Sequence, residues 1–297
     1  MLTTTLLATK APILLAPAMN TGMWTAEATQ ANLRTLQARG VHFVGPESGF
    51  LACGDTGAGR MSEPAQIVEA AEKLLHPRRD LEGLRVLVTA GPTMERIDPV
   101  RYLTNDSSGK MGYAIAAAAQ ARGASVTLVS GPVHLTAPAG VSVVPVMSTQ
   151  NLYDAMMTHC ASQDVIIQAA APADYRPAVM APEKLKKQDG QPFVLTLVEN
   201  PDVAKAVGEQ KKPGQILVGF AAETEHLLEN AQKKLDKKHL DMIVANDVTQ
   251  AGAGFGVDTN IVTLISHQGM KSLPLLSKTE VADRILDQVA VLRAQTH

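Results

Sequence analysis

Apolar and polar positions along this chain follow two different periods, and the changes of period predict its elements. Short apolar runs, such as residues 84–89 and 125–130, predict strands that are buried on both faces. Between them, residues 110–122 carry apolar side chains at helical spacing, and Gly123 ends the helix. This strand–helix–strand unit is the opening of a doubly wound α/β domain, which binds ligands at the carboxyl ends of its parallel strands.

The same reading predicts the remaining elements of the chain. Before residue 77 it predicts strands at 12–16 and 41–44, helices at 25–39 and 63–75, and a glycine-rich loop at 45–60. These elements are too few to close a layered core, so we interpret them as a partial flavodoxin-like α/β segment. It precedes a Rossmann-like parallel sheet. Further strands are predicted at 141–146, 164–169, 193–197, 216–219, 241–245 and 261–265, and further helices at 149–161, 202–209, 225–238 and 278–294.

A polar segment at residues 77–83, which contains Pro77 and several charges, is the predicted linker. It separates a first domain at residues 1–76 from a second at residues 84–297.

Composition and charge exclude several classes of protein. Hydrophobic residues make up 45% of the chain and charged residues 19%, as in soluble globular proteins, and the formal net charge of −2 gives no basic field for nucleic acid. No apolar run is long enough to span a membrane. The two cysteines suit a reducing compartment, and the first ten residues lack the basic start of a signal peptide. We therefore expect a cytoplasmic protein that binds neither nucleic acid nor membrane.

A polar loop follows the first strand of the second domain and leads into its helix. Ser107, Ser108, Gly109 and Lys110 stand at the start of the helix, where free N–H groups and the helix dipole favour an anion. A capped helix after a long loop explains these residues equally well. They do not form a P-loop, because the upstream glycine spacing and the following Ser or Thr are missing.

A second polar loop follows the predicted strand at 164–169. Ala170 and Ala171 lead to Asp174, whose carboxylate could hold a magnesium ion, and then to a lysine cluster at 183–187 that could meet phosphates. A solvated basic loop with a turn-forming aspartate is the simpler explanation and is favoured on the residues alone.

Later strands are followed by similar polar loops. Glu223 and Thr224 come after the strand at 216–219, and the segments 246–248 and 254–256 come after later strands. Capping and turn chemistry explain each loop by itself. Several such loops on one edge of one sheet describe a nucleotide pocket, but they do not specify a reaction.

The residues of the second domain closely resemble bacterial phosphopantothenate–cysteine ligases. The resemblance is carried by residues 87–132, which begin LVTAGPTMERIDP, and by the runs AAAPADYRP, APEKLKK, NPDV, VGFAAET and ANDV in the family's order. It covers the chain from about residue 84 to its end.

The first domain resembles the C-terminal part of phosphopantothenoylcysteine decarboxylase. The runs PAMNTGMW at 17–24 and ACGDTGAGRM at 52–61 carry this resemblance. In many bacteria the two enzymes form one fused bifunctional polypeptide. Because the family's flavin-binding loops and catalytic histidine have no counterpart here, we expect the decarboxylase half to be truncated at its N-terminus. Its FMN is then not expected to bind, and its activity is expected to be lost.

The resemblance implies a two-step ligation in coenzyme A biosynthesis. CTP, with Mg²⁺, and the carboxylate of 4′-phosphopantothenate form an acyl-cytidylate, and the amine of L-cysteine then attacks the acyl group. By residue-level match, Lys184 acts in forming the acyl-cytidylate, and Asn105 binds this intermediate. Cationic groups and aimed donors suit the charge that develops in both steps.

The same resemblance assigns the binding residues. In the decarboxylase half, the resemblance implies that Asn20 and Met23 bind the substrate and that Cys53 supplies a proton. With the decarboxylase half truncated, we expect neither role to be carried out. The ligase is expected to form a homo-oligomer, at least a dimer, with residues 101–105 near the partner. The nucleotide is assigned to Ser107, Ser108, Gly109, Lys110, Asp174, Lys184 and Phe220, the metal to Asp174, and the acyl substrate also to Ala170 and Ala171.

Three other interpretations compete with the ligase. An NAD-dependent oxidoreductase lacks support, because no G-x-G-x-x-G follows the strand at 84–89. A nucleotide-sensing or scaffold protein would use the same pocket without turnover, and it would not need Lys184 and Asn105. The chain could also be a fragment of a gene product.

Overall fold

The structure is a computed structural model that describes residues 2–76, 78–187, 190, 192–223, 227–247, 254 and 256–296. The side chains of residues 2, 222–223, 227–231, 247 and 296 are outside the description. Contacts divide the chain into two compact units, Met1–Arg78 and Arg79–His297. Thr224, Glu225, Val248 and Phe255, which belong to predicted elements or loops, lie outside the described residues.

The first unit is a small α/β arrangement. Strands β1 and β2 pair in parallel, and β3 and β4 form an antiparallel hairpin. Its elements are α1 (Leu2–Ala8), β1 (Leu14–Leu15), α2 (Thr21–Thr25), α3 (Glu27–Ala38), β2 (His42–Phe43), β3 (Glu47–Phe50), β4 (Thr56–Arg60) and α4 (Pro64–Leu75).

One prediction for the first unit is wrong. Residues 45–60 are not a loop, because they contain the β3–β4 hairpin. Glycines in β3 and β4 interrupt the alternation of apolar and polar residues that predicts a strand. Glycine is required in β4 because a Cβ on Gly59 would collide with the carbonyl oxygen of Met19. The helix predicted at 25–39 is confirmed as α3, and a short helix that was not predicted, α2, precedes it across the extended residue Ala26, with φ −58° and ψ 134°.

The second unit is built around one large sheet. Its elements are β5 (Arg85–Ala90), β6 (Met94–Arg96), β7 (Tyr102–Thr104), α5 (Lys110–Ala121), β8 (Ser125–Ser130), β9 (Ser142–Pro145), α6 (Thr149–His159), β10 (Val165–Gln168), β11 (Tyr175–Pro177), β12 (Leu197–Glu199), α7 (Val203–Glu209), β13 (Ile216–Glu223), α8 (Leu227–Lys237), β14 (Met242–Asp247), β15 (Thr259–Asn260), β16 (Val262–Ser266), β17 (Gly269–Ser272), β18 (Leu276–Ser277) and α9 (Lys278–Thr296).

The sheet has the order β9-β8-β5-β10-β13-β14-β16-β17. The first six strands are parallel, and β16 and β17 extend the sheet antiparallel. Chain order reverses between β5 and β10, which is the topological switch point of a doubly wound sheet. The predicted α/β class, with a large and mainly parallel sheet, is confirmed.

Helices cover both faces of this sheet. On one face, Ile115 of α5 and Leu286 of α9 pack into a core with Val86 and Val218. On the other face, the core contains side chains of α6, α7 and α8, among them Met156. Because the central strands are buried on both sides, they appear in the sequence as continuous apolar runs.

Some strands of the second unit differ from the prediction. The predicted strand at 193–197 is wrong, because the observed strand is β12, which pairs with β11. Strand β13 is longer than predicted and runs to Glu223 beside β14. The short pairs β6–β7 and β15–β18 were not predicted, because strands of two or three residues show no measurable period. In the described part of the chain, no helix is both long and apolar enough to cross a membrane.

Candidate active site

A cavity of about 500 Å³ lies at the carboxyl ends of the central strands, beside the start of α5. We call it the glycine-loop cavity. Gly109 precedes α5 with φ 77°, and a Cβ there would lie 2.8 Å from Val133 Cγ1 and 3.4 Å from Gly91 Cα. Only glycine fits this crowded left-handed turn. The first backbone N–H groups of α5 have no partner within the helix, so an anion can bind at its start.

Most of the predicted ligase residues meet at this cavity. They come from the loop before α5 and its first turn, from the loop after β10 and from strand β13, and the shared sheet edge brings them together. The predicted residues that line the cavity are Asn105, Ser107, Ser108, Gly109, Lys110, Ala170, Ala171, Asp174 and Phe220.

Asn105 joins the loop before α5 to the loop after β10. Its Nδ2 donates to the carbonyl oxygen of Ala171 at 2.9 Å and to that of Pro172 at 3.1 Å. This amide therefore holds the two sides of the glycine-loop cavity at a fixed separation.

Among the described residues, two lysines, Lys110 and Lys278, and two aspartates, Asp106 and Asp174, line this cavity. Lys110 Nζ donates to Asp258 Oδ1 at 2.7 Å, and its charge and hydrogen bond hold the pKa of Asp258 below its ordinary value. Lys278 is only 6% exposed and donates to the carbonyl oxygen of Gly254 at 2.9 Å. Burial, together with the nearby Lys110, lowers the pKa of Lys278. The two lysines and the two aspartates that line the cavity balance in charge, so the feature that favours an anionic ligand is the start of α5.

Sequence reasoning missed Lys278 and Asp258. The available signals were a lysine directly before the closing helix and an aspartate just after the 254–256 loop. Neither signal distinguishes a buried lysine from a surface one.

Two buried asparagines also line the glycine-loop cavity. Asn246 is 7% exposed and Asn260 is 3% exposed, and the Oδ1 atom of each has no hydrogen-bond partner in the described part of the structure. Buried polar atoms are normally paired, so a ligand that carries hydrogen-bond donors suits this wall.

A second cavity, of about 410 Å³, adjoins the first one. We call it the lysine cavity, because Lys234 and Lys238 of the α8 region line it. Lys238 Nζ donates to Asp202 Oδ1 at 3.0 Å. Burial would raise the pKa of Asp202, but the Lys205 N–H and Lys238 together bring it below its ordinary value. Both cavities are lined by Ala170, Pro172, Asp174 and Phe220, which form a shared ridge.

Lys184 does not line either of these cavities. It lies beside a separate cavity of about 970 Å³, together with Arg101, Lys186 and Phe193. The structure thus places the two predicted catalytic residues, Asn105 and Lys184, in different surroundings, and the role of Lys184 stays a prediction.

Asp98 anchors the segment that carries Lys184. Its carboxylate is 0% exposed and accepts hydrogen bonds from the Leu185 N–H at 3.1 Å and from the Arg101 guanidinium at 2.9 Å. Arg101 Nη2 also donates to the carbonyl oxygen of Leu185 at 2.7 Å. The Arg101 hydrogen bond holds the pKa of Asp98 far below its usual range, with the backbone N–H groups acting in the same direction against burial.

Asp174, the predicted metal ligand, lies on the shared ridge. Among the described residues, no group of three or more His, Cys, Asp or Glu side chains could hold a metal ion. Mg²⁺ in nucleotide enzymes is often held by one or two carboxylates and by the substrate phosphates, so a single aspartate fits this kind of metal.

The first unit contains a separate polar cluster. Asn20 Nδ2 lies 3.4 Å from Cys53 Sγ and 3.2 Å from Asp55 Oδ2, so the structure brings Asn20 and Cys53 together. Met23 lies nearby on α2 and is 61% exposed. Asp55, which is 3.6 Å from Cys53 Sγ, was not singled out in the sequence. An amide, a thiol and a carboxylate suit a small polar substrate. They do not suit the phosphate of FMN, because the only charge in the cluster is negative.

Comparison with known proteins matches both parts of the chain to families. Residues 1–76 match the family described as Flavoprotein, and residues 81–292 match the DNA/pantothenate metabolism flavoprotein C-terminal domain. The flavoprotein domain is therefore represented in this chain, and the match gives no support to the expectation of a truncated decarboxylase.

Individual relatives agree with these matches. Coenzyme A biosynthesis bifunctional protein CoaBC of Vibrio vulnificus strain YJ016 is 49% identical over 98% of this chain and 73% of its own length. CoaBC of Bacillus subtilis strain 168 is 49% identical over 100% of this chain and 73% of its own length. A crystal structure of the C-terminal domain of CoaBC superposes with a TM-score of 0.63 at 45% identity, covering 73% of this chain and 99% of that one. The chain therefore belongs to the family of coenzyme A biosynthesis bifunctional proteins CoaBC.

Proposed function

We propose that this chain ligates 4′-phosphopantothenate to L-cysteine at the expense of CTP. The observation that carries the proposal is the pair of adjoining cavities at one sheet edge. The glycine-loop cavity offers a helix N-terminus beside Lys110 and Lys278, which suits a phosphorylated acid. The lysine cavity offers Lys234 and Lys238, which suit a triphosphate. The two ligands would meet at the shared ridge around Asp174.

The first step joins the two ligands across this ridge. A carboxylate oxygen of 4′-phosphopantothenate attacks the α-phosphorus of CTP, and the bond to the β-phosphate breaks to release pyrophosphate. Magnesium carried by the nucleotide would offset phosphate charge, and Asp174 is its candidate ligand. Lysines at both cavities lower the repulsion between the two anions.

The second step transfers the acyl group to cysteine. The cysteine amine attacks the acyl carbon, loses a proton, and displaces CMP to leave 4′-phosphopantothenoylcysteine. We assign Asn105 to this step, because it lines the cavity that holds the acyl end and is oriented by Ala171 and Pro172. Backbone groups of Ala170 and Ala171 lie beside the same position.

Lys184 is assigned to the first step through the resemblance. Its segment lies beside Arg101, which donates to the carbonyl oxygen of Leu185, rather than at the ridge. For Lys184 to meet the nucleotide, this segment has to approach the ridge when ligands bind.

The deciding experiment measures pyrophosphate release with CTP, 4′-phosphopantothenate and cysteine, together with the mass of the product. We expect one pyrophosphate for each cysteine consumed, and a higher kcat/KM with CTP than with ATP. Tight CTP binding without any product would instead favour a nucleotide-sensing protein, and equal kcat/KM values would contradict the preference for CTP.

We further propose that the chain by itself does not decarboxylate the product. The Asn20–Cys53–Asp55 cluster can contact a thiol and a carboxylate, but it offers FMN no cationic partner. Purified protein is expected to be colourless and to release no carbon dioxide from 4′-phosphopantothenoylcysteine. A yellow protein with stoichiometric flavin would contradict this expectation.

A further inference from the structure

Gln168 occupies the topological switch point of the sheet. It is the last residue of β10, and its register partners are Thr89 on β5 and Gly219 on β13. These three residues form a row across the sheet, and all three line the lysine cavity.

The amide of Gln168 is buried and incompletely paired. Gln168 is 9% exposed, and its Nε2 has no hydrogen-bond partner in the described part of the structure. Its neighbour Thr89 differs, because the Thr89 hydroxyl already accepts the Ala170 N–H at 3.0 Å. A buried donor without a partner is unfavourable, so it is retained where a ligand completes its hydrogen bonding.

The surroundings of Gln168 are suited to an uncharged, flat group. Leu152, Leu240 and Ile243 line the same cavity and are each no more than 2% exposed. Gly219 is the register partner of Gln168, and a Cβ there would lie only 2.7 Å from Leu240 Cδ1. A triphosphate would not enter this apolar part, because the cations of the cavity are Lys234 and Lys238.

We propose that Gln168 binds the base of the nucleotide, and this rests on the proposed use of a nucleoside triphosphate. The amide turns so that Nε2 donates to an acceptor on the edge of the base, either a ring nitrogen or a carbonyl oxygen. The base then lies beside Gln168 at the apolar end of the lysine cavity, and the triphosphate extends toward Lys234 and Lys238. Gln168 is therefore a specificity residue rather than a catalytic one.

The test compares two ligands by calorimetry, without 4′-phosphopantothenate or cysteine. CTP contains the base, whereas inorganic tripolyphosphate contains only the phosphates. In Gln168→Leu, we expect the Kd for CTP to rise about tenfold, which is typical of one lost hydrogen bond. The Kd for tripolyphosphate should stay within about twofold of the wild-type value, because that ligand does not reach residue 168.

A second buried glutamine provides a matched control. Gln215 is 8% exposed, but its Nε2 donates to the carbonyl oxygens of Cys160 at 2.9 Å and Gln163 at 2.6 Å. Gln215→Leu is expected to lower the melting temperature and leave the Kd for CTP unchanged. Gln168→Leu should instead raise the Kd for CTP without lowering the melting temperature, because the donor that it removes has no hydrogen-bond partner in the described part of the free protein.

Three results would overturn the proposal: an unchanged Kd for CTP in Gln168→Leu, an equal weakening of both ligands, or no CTP binding by the wild type. Because calorimetry requires no turnover, its outcome is independent of the ligation assay. A selective loss of CTP affinity in a protein that releases no pyrophosphate would support the role of Gln168 and refute the proposed ligase.

Discussion

Asn105 and Lys184 differ in their surroundings, and their variants are expected to fail at different steps. Lys184→Gln keeps the length of the side chain and removes its charge, so it should reduce acyl-cytidylate formation by about a hundred- to a thousandfold. Asn105→Asp places a negative charge beside an anionic intermediate and should impair mainly the second step. Each variant is incubated with CTP and 4′-phosphopantothenate without cysteine, quenched and analysed by mass. The intermediate should accumulate with Asn105→Asp and be scarce with Lys184→Gln.

The hydrogen bonds of Asn105 call for a stability control in this experiment. Its Nδ2 donates to Ala171 and Pro172, and an aspartate cannot make these bonds. Melting temperatures therefore have to be compared alongside the mass measurements. Lys187→Gln, in the same basic segment as Lys184, should behave as the wild type. Wild-type levels of intermediate in both test variants would refute the assigned roles.

Asp98 is expected to make stability dependent on pH. Its pKa is lowered in the folded protein, so the unfolded chain binds the proton more readily. The contribution of Asp98 is therefore complete at neutral pH and is lost as pH falls below about 4, the ordinary pKa of aspartate. Asp98→Asn should lower the urea midpoint at pH 7, and the difference from the wild type should narrow at pH 3.5. A difference that does not depend on pH would contradict this account.

A second aspartate separates the local effect of Asp98 from its effect on stability. Asp164 also has a lowered pKa, caused by its hydrogen bonds with Arg85, but it precedes β10 at the opposite end of the strand from the cavities. Both Asp→Asn variants should lose stability at pH 7. Only Asp98→Asn should speed trypsin cleavage at residues 184–187, because Asp98 holds the Leu185 N–H.

Helix α5 positions its N-terminus through a close approach to β5. A Cβ on Gly112 would lie 2.5 Å from Ala90 Cβ and 2.8 Å from the Thr89 carbonyl oxygen. Gly112→Ala should therefore destabilise the protein by about 1–3 kcal/mol and raise the KM for 4′-phosphopantothenate. Urea unfolding and steady-state kinetics measure these effects.

The control for this variant is the exposed residue Ala117 on the same helix. Ala117→Ser should change neither the KM nor the stability by more than about 0.5 kcal/mol. Glycine-to-alanine changes within a helix normally stabilise it. A more stable Gly112→Ala variant would therefore show that the helix and strand are not in such close contact.

The whole molecule is expected to form a homodimer through the β6–β7 hairpin. Val100 is 56% exposed and Tyr102 is 41% exposed on this hairpin, and Phe193, which is 61% exposed, lies 5.8 Å from the Arg101 guanidinium. Stable interfaces bury more than about 1,000 Å² and have an apolar centre. Sedimentation equilibrium should give a dimer at micromolar concentration, and Val100→Asp should weaken it.

Met270 provides the control for the interface. It is 63% exposed on β17, an edge strand of the large sheet. Met270→Asp should leave the dimer intact, since it lies on a different part of the sheet. A wild-type protein that sediments as a monomer would contradict the expected dimer.

Elements with long patterns were predicted from the sequence. Strand β8 and the start of α5 were predicted at their observed positions, because a strand buried on both faces requires a continuous apolar run. Hairpins such as β6–β7 were missed, because cross-strand partners rather than local periodicity define them. The glycines of β4 were interpreted as a loop, because glycine there reflects the close approach of the Met19 backbone rather than a turn.

Some features of the candidate site were predicted from the sequence, and others appeared only in the structure. The sequence alone was enough to group Ser107, Asp174 and Phe220, because parallel strands bring their carboxyl ends to one edge. Only the tertiary structure paired Lys110 with Asp258, placed Lys184 beside Arg101, and left Nε2 of Gln168 without a hydrogen-bond partner among the described residues. Local patterns determine which elements form and which loops share an edge. Burial and charge pairing depend on contacts between residues far apart in the chain, and these exist only once the chain has folded.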